Sequence, residues 1–197
     1  MQFKNIFFSI VIIFTIFLSL IITPNNVLAH SSTCNSGSES TGWIVNCSSG
    51  SGGHAGTSYY TYNFASDLSN DYKLISNVGI GRWTSTSIVN IQYSLASSNL
   101  ITSYGGPDSS VAAITSSWAN ASTGHKTKWQ LSYNRYVMGN QTTEKNYVTA
   151  AHEIGHTIGL ADLYNYSNID KLMYVYTSTT ASAPTSYDKT GANEAVK

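Results

Sequence analysis

The stretch Ala151-His152-Glu153-Ile154-Gly155-His156-Thr157-Ile158-Gly159-Leu160-Ala161-Asp162 decides how the rest of this chain is read. Residues four apart on a helix lie one turn apart on the same face, so His152 and His156 can both aim a ring nitrogen at one metal ion. Glu153 adjoins the first of them and would point beside the ion. From there a carboxylate can take a proton from a zinc-bound water and later pass it to a leaving amine. Gly159 lets the chain turn sharply, because a residue without a β-carbon enters the left-handed conformation without steric cost. Asp162 follows three residues later and supplies a third ligand, giving a His2Asp set for Zn2+ with a fourth position open to water. Two helical histidines without a metal are the bland alternative, and that reading leaves the spacing of Gly159 and Asp162 as coincidence.

Outward from this stretch, Thr142 to Gly159 is the best-defined helix. Thr142 or Thr143 can cap it, Glu144 suits its first turn, and Tyr147, Ala150, Ala151, Ile154 and Ile158 form an apolar stripe. Upstream, Tyr59 to Phe64 reads as a strand and Ser66 to Trp83 as a helix weakened by Gly79 and Gly81. Ile88 to Ser94, Val111 to Thr115 and Lys128 to Tyr133 are further strand candidates, with a loop at Gly105-Gly106-Pro107-Asp108. Downstream the chain is irregular as far as Leu172-Met173-Tyr174, and Thr185 to Val196 can form a short terminal helix.

The N-terminal end has another character. Lys4 precedes an apolar run from Ile6 to Ile22, and Val27-Leu28-Ala29 offers a small-residue cleavage site, the pattern of a signal peptide over residues 1–29 with a mature start at His30. An uncleaved anchor is the rival reading of the same run. Residues 30–58 are Ser/Gly-rich, with only Trp43-Ile44-Val45 suited to a strand, and read as a tether or loosely packed edge. The chain has two cysteines, Cys34 and Cys47, whose expected state in an exported protein is one disulfide closing a short loop peripheral to the chemistry. Residues 59–197 then form one domain carrying the metal motif.

Ten acidic and ten basic residues balance, and loss of Lys4 would leave one net negative charge. Nothing in that balance calls for nucleic acid or an anionic membrane surface. His54, in a Gly-rich stretch, and His125, in a polar segment, read as solvated rather than as ligands. The strings beginning at Asn46, Asn120, Asn140 and Asn165 are glycosylation acceptors only in a host with that pathway.

His152, Glu153, His156, Gly159 and Asp162 spell HExxHxxGxxD, which resembles the motif of the metzincin zinc peptidases, whose usual third ligand is His. The Asp form is similar to the small secreted bacterial snapalysin group. Leu172-Met173-Tyr174 resembles the methionine turn that metzincins carry beneath the metal, and Pro184-Thr185-Ser186-Tyr187-Asp188-Lys189-Thr190-Gly191 resembles the start of the last catalytic helix of matrixins. The resemblance is specific over the last quarter of the chain.

It implies an α+β, metzincin-like zincin domain: a twisted, mixed, largely parallel sheet with a backing helix, an active-site helix, and a small irregular C-terminal subdomain supplying Asp162 and Met173. The sequence departs from the family at Asp162 in place of His, in lacking the matrixin propeptide cysteine motif, and at Val175, where some metzincins carry a metal-reaching tyrosine. Tyr174 and Tyr176 remain candidates for a transition-state or pocket-wall role.

The expectation is therefore a secreted, extracellular, monomeric zinc endopeptidase acting on protein or peptide substrates without stable membrane association after signal cleavage, with Glu153 as general base. The alternative from another class is a secreted zinc-bearing surface-binding or toxin component without turnover. Glu153 argues against it, since holding a metal needs the ligands and not the base. Neither a structural Ca2+ nor the physiological target is legible in the residues.

Overall fold

The computed structural model describes residues 34–106 and 110–197, so the signal-peptide reading of residues 1–29 and part of the loop at Gly105 to Asp108 lie outside the described residues. Two short strands open the described chain, β1 (Gly37–Ser38) and β2 (Trp43–Ile44), paired antiparallel. A five-stranded sheet follows, built from β3 (Tyr59–Phe64), β4 (Asn90–Tyr93), β5 (Leu100–Tyr104), β6 (Ala113–Ala119) and β7 (Lys126–Asn134) in the order β4-β3-β5-β7-β6. Neighbours are parallel except β6, which runs antiparallel to β7 at the edge. Four helices complete the α+β fold: α1 (Asn70–Thr84), the short α2 (Arg135–Gly139), α3 (Thr143–Ile158) and α4 (Ser186–Ala195). None of the described helices is long and apolar enough to cross a membrane.

The core lies between the sheet and the helices α1 and α3, with Trp83, Ile101, Leu131, Tyr133, Ile154 and Ile158 fully buried. Burial of such side chains contributes about 1.5–3 kcal/mol each before entropy is counted. Gly79, which weakens α1 as an isolated helix, is where α1 crosses α3: a β-carbon there would lie 2.8 Å from the carbonyl carbon of Ala150 and the nitrogen of Ala151. The close crossing lets Trp83 Nε1 donate to Ala151 O at 2.7 Å, in the turn that carries His152. No contact explains Gly81, which faces open space.

Several elements differ from the sequence reading, which included neither β1 nor α2. Strand β5 was not anticipated: its residues are only half apolar, and it exists because β3 and β7 pair with it on both sides. Helix α1 starts at Asn70 after Ser69, not at Ser66. Strand β6 runs on to Ala119, and it is burial that alternates along this edge strand, with Ala113 buried and Ile114 and Trp118 exposed.

The largest difference concerns the N-terminal segment, which is packed into the domain and does not behave as a tether. Trp43, Val45, His54 and Ala55 are buried. Val45 bridges to Leu160, Asn46 N donates to Gly159 O, and Ala55 N donates to Ile158 O at 2.8 Å. Cys34 and Cys47 form the expected disulfide.

Candidate metal centre

Helix α3 begins as its sequence indicates, with Thr142 Oγ1 accepting from Lys145 N, and ends at Gly159 with φ +118°. That left-handed residue reverses the chain, and no side chain fits there: a β-carbon would stand 2.5 Å from His54 Cα. His54 is thus buried behind the end of α3, in edge-to-face contact with His125, and the expectation that it is solvated is corrected. Burial follows from the backbone, since His54 N donates to Gly124 O and Lys126 N donates to His54 O, stitching the segment to β7.

Beyond Gly159 the chain brings Asp162 back under the helix. His152 Nε2 lies 3.0 Å and His156 Nε2 3.4 Å from Asp162 Oδ1. Among the described residues, His152, His156 and Asp162 are the group of ligand-type side chains that could hold a metal ion, each offering one atom within 4.8 Å of the others.

The donor chemistry fits a metal. His152 Nδ1 stands 2.9 Å from Leu172 O and His156 Nδ1 2.8 Å from Leu160 O. A carbonyl can only accept, so each Nδ1 carries the proton and donates. Both Nε2 atoms then converge on one point with a carboxylate: protonated they donate to Asp162, and on losing those protons they present lone pairs to a metal, the arrangement in which outer hydrogen bonds orient metal-binding imidazoles.

The electrostatics agree. Burial works against protonating His156, but the hydrogen bond to Asp162 and the charges of Glu153 and Asp162 outweigh it and raise its pKa to about 9. Burial likewise opposes ionisation of Asp162, yet the hydrogen bonds from His152 and His156 hold its carboxyl well below the usual carboxylate range. The site attracts positive charge, and a metal ion entering it displaces protons.

Glu153 is buried, and its Oε2 accepts from Thr115 Oγ1 at 2.6 Å. It takes no part in the converging set. Thr115 on β6 thereby fixes the carboxylate beside the ligands, a role with no local signal in a Ser/Thr-rich stretch. Met173 is buried beneath α3, where a β-carbon on Gly155 would lie 2.4 Å from its Sδ, so the glycine between the two histidines is what admits it.

Asp188, also buried, accepts from Leu172 N at 3.0 Å and Met173 N at 3.2 Å while closing the capping box of α4 with Thr185. The chain around Met173 is therefore clamped from α4, and Asp188 is a second residue that sequence reasoning assigned no role. The Thr185 to Asp188 capping spacing marks the start of α4 and carries no sign of this clamp.

A cleft of about 1050 Å³ opens over the three ligands. Edge strand β6 contributes Ala113, Thr115 and Ser117, and Tyr174 and Tyr176 line the same cleft with their rings 5.5 Å apart. Tyr174 is buried and Tyr176 exposed. Cys34 and Cys47 do not line it. Compared with the models of known protein families and with curated proteins, the chain matches none.

Proposed function

We propose that this protein is a secreted, zinc-dependent endopeptidase of metzincin type. The observation that carries the reading is the convergence of two oriented imidazoles and a carboxylate, with a separate, hydrogen-bonded glutamate beside them, in a cleft bordered by a strand edge. Zn2+ suits the His2Asp donor set, and when bound by His152, His156 and Asp162 it supplies Lewis-acid polarisation of a carbonyl and acidification of water.

The chain's own residues supply the rest. Glu153, aimed by Thr115, accepts the proton of the attacking water and returns it to the leaving amine. Among the described residues β6 pairs with β7 on one side only, so its outer edge can accept the backbone of an extended peptide by strand addition. Such docking lays a peptide bond across the ligands, which favours an endopeptidase over a small-molecule hydrolase. The cleft-lining Tyr174 and Tyr176 serve as its wall, and Met173 supports the helix from below. The disulfide and the leader-like residues 1–29 support an extracellular site of action.

Replacing Glu153 tests the reading, because it separates holding the metal from using it. The Glu153→Ala protein is expected to stay folded and zinc-loaded by metal analysis, while proteolysis of unfolded protein falls by about 10² to 10⁴ fold. Chelation abolishes the parent's activity and zinc restores it. A zinc-loaded wild type that cleaves no protein or peptide library would sink the peptidase reading and favour a zinc-bearing binding protein without turnover.

A further inference from the structure

Lys126 opens β7 and lines the metal cleft together with Ser117, Ser51 and Gly52. Its Nζ donates to Gly52 O at 2.9 Å, leaving two N–H donors, and no carboxylate among the described residues forms an ion pair with it. Burial alone lowers its pKa to about 8. A largely desolvated ammonium with no counter-charge costs stability, and an incoming anion relieves that cost.

Its position along the cleft is set by the strand register. Thr115 touches Glu153, and four residues further along β6 Ala119 is the register partner of Lys126. At about 3.3 Å per residue that places Lys126 some 13 Å, roughly four residues of extended peptide, from the general base. A peptide added antiparallel to β6, the stronger pairing per residue, runs from the Ala119 end toward the Ala113 end. The residues near Lys126 then precede the bond to be cut.

We propose that Lys126 is a specificity residue that binds an acidic side chain three or four positions N-terminal to the scissile bond. This rests on the peptidase reading above, and the test separates the two. Zinc-loaded full-length protein is given peptides differing only by Glu or Gln at each of the four positions before the cleavage site. The same peptides are titrated by fluorescence anisotropy against zinc-loaded Glu153→Ala protein, whose binding does not depend on turnover.

Glu at the third or fourth position is expected to improve kcat/KM and binding by about tenfold over Gln, mainly through KM. The Glu/Gln ratio falls to about one in Lys126→Met, is kept in Lys126→Arg, and reverses in Lys126→Glu. Cleavage without that preference, a preference elsewhere in the peptide, or one that Lys126→Met retains overturns the assignment of Lys126 alone. If nothing is cleaved but Lys126-dependent binding of the Glu peptides persists, the peptidase reading fails and takes with it the placement relative to a scissile bond, while the acid-binding role of Lys126 stands. Neither cleavage nor selective binding overturns both.

Discussion

Asp162 is the most exposed of the three ligands, and the backbone on either side of it is fixed by other parts of the chain. Ala161 N donates to Ile44 O at 2.9 Å, and Glu39 accepts from Tyr164 N at 2.7 Å. With its position so determined, the carboxylate itself is the weak point. Asp162→Ala is expected to lower zinc affinity by more than about 100-fold, the upper end of what outer hydrogen bonds alone contribute. Asp162→His, which restores an imidazole, is expected to hold zinc better than the alanine variant. Competition against a chromophoric chelator measures both. His54→Ala, behind the helix end, is expected to change stability and leave affinity near that of the parent. A reversed order, with His54→Ala losing zinc and Asp162→Ala keeping it, would mean the third ligand has been misassigned. At this scale the cluster of His152, His156 and Asp162, and Glu153 beside it, was legible because the spacing is local to one helix and one turn. Thr115 and Asp188 were not, since a threonine in a strand or an aspartate in a capping box shows nothing of what the fold brings against it.

Among the elements, α1 and α3 carry a paired test in two glycines two residues apart. Gly79 abuts the backbone of α3, so Gly79→Ala overpacks the crossing and is expected to cost about 1–3 kcal/mol. Gly81 meets nothing, so Gly81→Ala gains helix propensity and is expected to stabilise by up to about 1 kcal/mol. Urea unfolding of the two variants should show opposite shifts in midpoint. Two shifts of the same sign would mean that the crossing is looser than the contacts at Gly79 imply. The sequence marks both glycines as helix-weakening and cannot tell them apart, because only the partner helix does. Helix α3 was readable because its cap, stripe and terminating glycine are all local. Strand β5 was missed because Leu100 to Tyr104 owes its conformation to neighbours on both sides, and the Ser/Gly-rich composition of residues 34–58 concealed a pairing with residues more than a hundred positions away.

Across the whole molecule, the disulfide-closed loop is attached to the candidate metal centre. It contains Glu39, which also accepts from Asn168 Nδ2 at 2.6 Å, and Ile44, so it grips the chain on both sides of Asp162. Replacing Cys34 and Cys47 by Ser is expected to cost about 3 kcal/mol by loop-entropy reasoning. It is also expected to weaken zinc binding in protein that is still folded, measured by the same chelator competition below the unfolding temperature. Unchanged affinity in a destabilised variant would return the bridge to a purely peripheral role. The clasp also orders events during synthesis. Glu39 and Tyr164 stand 125 residues apart, and the turn holding His152 Nδ1 is fixed by Asp188. A nascent chain that has emerged only as far as His156 has both imidazoles and neither the third ligand nor the clamp that aims the first. Contacts of such long separation also form slowly. The His152, His156 and Asp162 cluster is therefore completed only once Asp162 and Asp188 have emerged and folded, and a chain that stops short of them has no finished site for a metal ion.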